Sequence, residues 1–299
     1  MTWIVAALLS AAILGVVVIF DSYFISRRMP SLQSFLVPTG ILHLIFGLIV
    51  LAIHPLPSGV GTTPLMIAFT SGILRSLGVF LMLRAMRSEE VSRIIPVTHI
   101  FPIFVAILAV PLLDETLDLK EWLAIFVTVA GAVLISTQWD GQRGGARLRR
   151  SFAALVVASF LMGAANTASK YALDYISFWN MYSINAFCFC AAFLLSSLRP
   201  GILKDLRALE RRNLTVILIA LNESVALAGI VLSFWAMEQG PVSLVSTILG
   251  TRPAFVFLFA VALTRILPFI LKESLTRGVV IIKTASIALI ITGVAIINL

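Results

Sequence analysis

The sequence predicts an all-α integral membrane protein of ten transmembrane helices, arranged as two inverted five-helix repeats. Three observations predict it. The 299 residues are 60% hydrophobic and 12% charged, with a mean hydropathy of +1.06. That is about half the charge a soluble chain of this size carries, too little to cover a water-facing surface. The apolar residues fall in long continuous runs, and one segment of the chain occurs twice.

A spanning helix needs about 20 mostly apolar residues. Runs of that kind lie at 2–24, 32–53, 64–86, 91–112, 119–138, 151–173, 178–198, 214–236, 241–264 and 278–298. Their continuity argues against a barrel, whose strands alternate over about ten residues. The first run has neither a basic flank before it nor a small-residue cleavage site after it, so it reads as a retained helix. Pro30, Pro55, Pro57, Gly59, Gly61 and the 141–145 stretch punctuate the gaps. Trp3, Trp122, Trp139, Trp179 and Trp235 all fall near run ends, where indole rings favour the lipid–water interface. The basic stretch 199–213 reads as a short surface helix.

The net charge of +8 raises the question of nucleic acid. The basic residues instead occupy short loops between apolar runs, so no nucleic-acid partner is expected. Seventeen Lys and Arg follow the odd-numbered runs, among them Arg27, Arg87, Arg143, Arg212 and Lys272, whereas Lys120 stands nearly alone on the other side. The positive-inside rule then puts the odd loops in the cytoplasm and both termini outside, in the cell membrane.

The repeated segment is 85–110, which aligns without gaps on 236–261 with nine of 26 positions identical, including Pro102/Pro253. Five runs precede the 139–150 linker and five follow it. Because five is odd, the second copy enters the membrane upside down. The expected units are therefore 1–138 and 151–299.

These residues resemble the EamA-type branch of the drug/metabolite transporter superfamily. Ala85-Met86, Pro102, Glu115 and Gly131 match its repeated pattern, as do Ala236-Met237, Pro253, Glu273 and Gly293. The resemblance covers nearly the whole chain. It implies two five-helix units around a central cavity lined by the first, third and fourth helices of each. External termini would depart from the cytoplasmic termini of many members.

An ionisable residue at mid-bilayer costs several kcal/mol unless paired or hydrated, which makes it a candidate site. Arg75, Glu223 and Arg252 fall near the midplane, with His99 somewhat nearer the cytoplasm. Glu223 beside Asn222 suits proton coupling or a substrate ammonium; a structural ion pair with Arg75 or Arg252 is the competing reading. The two arginines keep their charge and suit a substrate carboxylate or phosphate, or else pair with Glu223. His99 is a proton shuttle or a hydrogen-bonded buried imidazole. Asn166 is deep enough to line a cavity, while Asp21 and Lys170, nearer their helix ends, read as snorkelling. Pro102 and Pro253 are the expected helix bends; Pro253, directly after Arg252, frees a carbonyl one turn back, near Leu249. His43 and His54 read as structural or interfacial. Without a second ligand at metal spacing, no metal and no cofactor are expected. Cys188 and Cys190 read as inert buried thiols.

The expected function is a secondary transporter of a small metabolite, an amino acid or an organic anion or zwitterion, working by alternating access with protons as the candidate coupling ion. The alternative is a flippase or membrane enzyme acting on lipid-linked phosphate groups. Against enzyme chemistry stands the lack of a close acid/base pair or a Gly-rich phosphate loop. The bilayer and a small-molecule substrate are the expected partners, and an oligomer is compatible with the sequence.

Overall fold

A computed structural model describes residues 1–87, 91–134, 146–207, 209, 211–266 and 277–297. Glu89, Glu90, Trp139, Arg143, Lys272 and Glu273, with the 139–145 part of the linker, lie outside the described residues. Among those described, regular structure is helical throughout.

The helices run in order α1 (Trp3–Tyr23), α2 (Leu32–Ile53), α3 (Thr62–Ala85), α4 (Val91–Thr98), α5 (Phe101–Leu113), α6 (Leu119–Leu134) and α7 (Ala146–Leu173). They continue with α8 (Phe178–Ser196), α9 (Ile202–Arg207), α10 (Arg212–Gln239), α11 (Val242–Leu249), α12 (Arg252–Ile266) and α13 (Arg277–Ile297). Among the described residues, seven helical stretches are long and apolar enough to cross a bilayer: Trp3–Arg28, α2, α3, Phe152–Leu173, α8, α10 and Val242–Ala262.

Their polarity is inside out for a water-soluble fold. Leu44, Leu48, Met66, Phe69, Ile73, Ile217 and Leu221 are exposed, while Ser10, Ser71, His99, Asn166, Ser246 and Glu223 are buried. Apolar surface on this scale is stable only against lipid. The chain is a multi-pass membrane protein.

Three departures from the simple runs position the site. Trp3–Tyr23 continues through a π-helical turn, Phe24–Arg28, so the first span is longer than its apolar run. The fourth run is split after Thr98 and the ninth after Leu249. Both splits have one cause. Pro102 and Pro253 have no N–H for the carbonyl four residues back, and their rings crowd it. Those carbonyls belong to Thr98 and Leu249. The chain re-enters helix through equivalent bonds: Ile103 N donates to Ile100 O (3.1 Å) and Ala254 N to Thr251 O (2.9 Å). Gly250 packs on Pro102, so the two breaks meet.

Helices from the two halves pack in pairs: α1 on α10, α2 on α8, α3 on α7 and α6 on α13. Small residues permit close approach in membranes, where packing replaces the hydrophobic drive. A Cβ on Gly131 would lie 2.8 Å from Ser286 O, and one on Gly293 would lie 2.9 Å from Ala124 O. The α6–α13 pair is therefore a backbone contact made by one glycine from each half.

At the end where α5 turns into α6, Asp114 takes a left-handed conformation (φ 53°). This aims Glu115 at the start of α11. Its carboxylate accepts from Val242 N (2.5 Å) and Ser243 N (3.2 Å), satisfying two of the orphan donors of that helix. At the other end, Arg87 donates to the carbonyls of Ile25 and Met29, both at 3.1 Å. Within 199–213 lie the six-residue α9 and the first two residues of α10, and Asp205 of α9 accepts from Ser31 at the head of α2 (3.1 Å).

Candidate functional site

A cavity opens among α1, α2, α3, α7, α8, α10 and the two broken helices. Its wall is mostly apolar, with Leu14, Val18, Phe35, Phe189, Phe193 and Leu249 among the lining residues. Into it project Asp21, Thr39, His43, Arg75, His99, Asn166, Glu223 and Arg252.

These groups form two clusters. In the acidic one, Glu223 on α10 lies 3.7 Å from His43 Nδ1 on α2. The same nitrogen is 3.0 Å from Thr39 O, one turn back. Asn222 donates to Asp21 on α1 (2.8 Å), which tethers a second carboxylate beside Glu223. Asn222 does not itself line the cavity; it holds a residue that does. Phe189 and Phe193 flank His43 with ring centroids at 5.0 and 6.2 Å.

The basic cluster lies where α3 and α7 meet the breaks. Arg75 donates to Ser169 (3.0 Å) and rests over the Phe234 ring at 5.0 Å. Ser169 and Ser71 share a hydrogen bond (2.7 Å), and Ser71 donates to Ala165 O (3.0 Å), so the α3–α7 contact holds the arginine. Arg252, the first residue of α12, is close enough to Arg75 for the two guanidiniums to repel. His99 occupies the break in the fourth run beside Arg252. Its Nδ1 is 2.6 Å from Ile95 O. Asn166 donates to Ser246 on α11 (3.1 Å).

The structure thus brings Arg75, His99, Asn166, Glu223 and Arg252 around one space. Pro102 and Pro253 stand behind it, in the first turns of α5 and α12. Among the described residues no ion pair joins Glu223 to either arginine. Lys170 instead donates to Met237 O (2.9 Å) and Glu238 O (3.4 Å) at the end of α10.

Sequence reasoning missed Asp21 and His43 as cavity residues. Counted from residue 24, Asp21 sits at a helix end; the π-helical turn carries the helix on to Arg28 and leaves Asp21 a turn deeper. His43 lies mid-way along α2, a depth visible in the sequence, but its facing direction depends on which helices pack against it. Thr39, one turn earlier on the same face, was the available signal.

Residues 1–137 match the model of the EamA-like transporter family. A solved crystal structure of a protein superposes on the chain with a TM-score of 0.65 at 16% identity, covering 96% of each chain. That likeness concerns the fold alone. No curated protein matches the chain.

Proposed function

We propose that this chain, EamA-like over residues 1–137, is a secondary transporter that carries a small organic anion or zwitterion, such as an amino acid, by alternating access. The observation that carries this reading is one cavity holding two arginines and two carboxylates in separate clusters. Buried charges kept apart, rather than neutralised by each other, are costly without a charged ligand.

In this reading the ten runs are ten crossings, with 1–138 and 151–299 as inverted repeats. Two features support it. The short helices α4 and α11 begin and end at positions 151 residues apart, as do the starts of α5 and α12. A twofold exchange of the repeats also turns the α1–α10 pair into the α7–α3 pair, and returns α2–α8 and α6–α13 to themselves. The paired breaks give the two halves a place to rock about a midplane site.

Arg75 and Arg252 take the anionic group. Glu223, with Asp21 and His43, exchanges protons with the solvent, and His99 is a second proton carrier at the arginines. The chain acts without catalysis in the cell membrane, with both termini extracytoplasmic; a C-terminal reporter active only in the cytoplasm would refute that orientation.

A thermal-shift screen of purified protein against amino acids, organic acids, nucleosides, sugars, cationic drugs and lipid phosphates tests the reading. Binding to the native state raises its stability by mass action. Stabilisation by a water-soluble metabolite, lost in Arg75→Ala and Glu223→Gln, is the expected result. Stabilisation by lipid phosphates alone would replace the transporter reading with a flippase.

A further inference from the structure

Four buried polar atoms of the basic cluster have no hydrogen-bond partner: Arg75 Nε, Arg252 Nε, His99 Nε2 and Asn166 Oδ1. Orphaned buried polar atoms are uncommon, and each costs free energy unless a ligand or water completes it. All four belong to residues that line the same cavity. Asn166 and Ser169 lie one turn apart on α7, and Ser169 holds Arg75. His99 and Arg252 occupy the two breaks that meet. The four atoms therefore belong to one patch.

Their hydrogen-bonding senses differ. The two guanidinium Nε–H groups can only donate. The Ile95 carbonyl can only accept, so His99 Nδ1, 2.6 Å from it, carries the proton. Burial and the neighbouring Arg252 charge disfavour a second proton, so the neutral ring presents Nε2 as a bare lone pair. The Asn166 amide nitrogen is used on Ser246, which leaves Oδ1 as an acceptor. A plain anion would satisfy the guanidiniums and leave both acceptors empty. His99 and Asn166 are 1% and 2% exposed, so water reaches them only through the cavity.

We propose that the ligand is a carboxylate whose adjacent carbon carries an O–H or N–H donor: a 2-hydroxy or 2-amino carboxylate. The carboxylate oxygens accept from Arg75 and Arg252. The adjacent donor is received by His99 Nε2 and Asn166 Oδ1. The inference rests on the transporter reading above and narrows its substrate. The carboxylates Asp21 and Glu223 are then left free for coupling.

The test uses the full-length protein in nanodiscs, titrated with 4-methylpentanoate and its 2-oxo, 2-hydroxy and 2-amino derivatives. The four share one apolar branch, suited to the Leu14, Val18 and Phe35 wall, and differ only at the second carbon. A site built for a donor rejects analogues that lack it. The hydroxy acid, the amino acid or both should bind at least about tenfold more tightly than the 2-oxo and unsubstituted acids. Whichever of the two binds tighter identifies the donor. His99→Leu and Asn166→Leu should erase the preference, and His99→Gln, which restores an acceptor, should recover part of it. Equal affinity for all four acids in the parent protein overturns the inference, as does a preference that survives both leucine variants. Binding of some other organic anion, but of none of the four acids, overturns it while leaving the transporter reading intact. Failure of every water-soluble ligand overturns both.

Discussion

Glu223 meets His43, not an arginine. Its carboxylate is 3.7 Å from the His43 ring, while Arg75 rests on Ser169 and the Phe234 face. The sequence offered two uses for Glu223, and the structural one, a pair with Arg75 or Arg252, is not formed. A carboxylate whose neighbours are a histidine and a second carboxylate can change charge without leaving a guanidinium unpaired.

This arrangement predicts the effect of removing the charge. Glu223→Gln keeps the size and the hydrogen bonding of the side chain but cannot exchange a proton. Gradient-driven uptake into proteoliposomes should vanish, while counterflow of labelled against unlabelled substrate continues. Driven uptake at the parent rate would rule Glu223 out as the coupling group.

The arginines should not tolerate lysine. Arg75 spreads a planar cation over an aromatic ring and donates sideways to Ser169, which an ammonium cannot do at once. Arg75→Lys and Arg252→Lys should each weaken binding of the stabilising ligand by about tenfold or more, the scale of one charge-assisted hydrogen bond. Titration calorimetry reads this directly, and parent affinity in both variants would remove the anion site from the account.

Glu115 closes α11 from the opposite half of the chain. Glu115→Ala leaves the Val242 and Ser243 amides without their acceptor. The loss should be about 1 kcal/mol, as for other helix caps. Glu115→Gln should lose part of this, since its amide oxygen still accepts but without the charge. A denaturation midpoint unchanged in Glu115→Ala would show that the contact adds no stability.

Gly131 tests the α6–α13 backbone contact. Gly131→Val puts a branched side chain against Ser286 O and Ile290. Overpacking of this kind costs about 1–3 kcal/mol. The thermal midpoint should fall, whereas Gly59→Ala near the start of α3 would be strained by its φ of +88° yet meets no neighbour within 4 Å. A fall no larger for Gly131→Val than for Gly59→Ala would place the α6–α13 contact elsewhere.

Much of this was legible in the chain before any coordinates. Among the described residues the long apolar runs fall on helix, the fourth and ninth with a break, because lipid-facing segments need no periodicity to be recognised, only length. Pro102 and Pro253 marked the two breaks, since a missing N–H acts locally. Arg75, Glu223 and Arg252 stood out because charge is expensive at that depth. What stayed hidden depends on direction rather than depth. These helices are apolar nearly all round, so only the polar pair Thr39 and His43, one turn apart, hints that this face of α2 is inward while Leu44 and Leu48 face lipid. The π-helical turn after Tyr23 carries no sequence signature, and with it the depth of Asp21 was lost. The partner of Glu223 was equally out of reach, because it lies on a helix 180 residues away.

The central claim is that a small charged metabolite crosses the membrane through the cavity between the two clusters. The most direct test is counterflow in sealed proteoliposomes, with the ligand that stabilises the parent protein. The account predicts that labelled ligand enters vesicles preloaded with unlabelled ligand, and that Arg75→Ala abolishes the exchange without preventing reconstitution. A parent protein that binds the ligand yet leaves its distribution across the membrane unchanged would contradict the account.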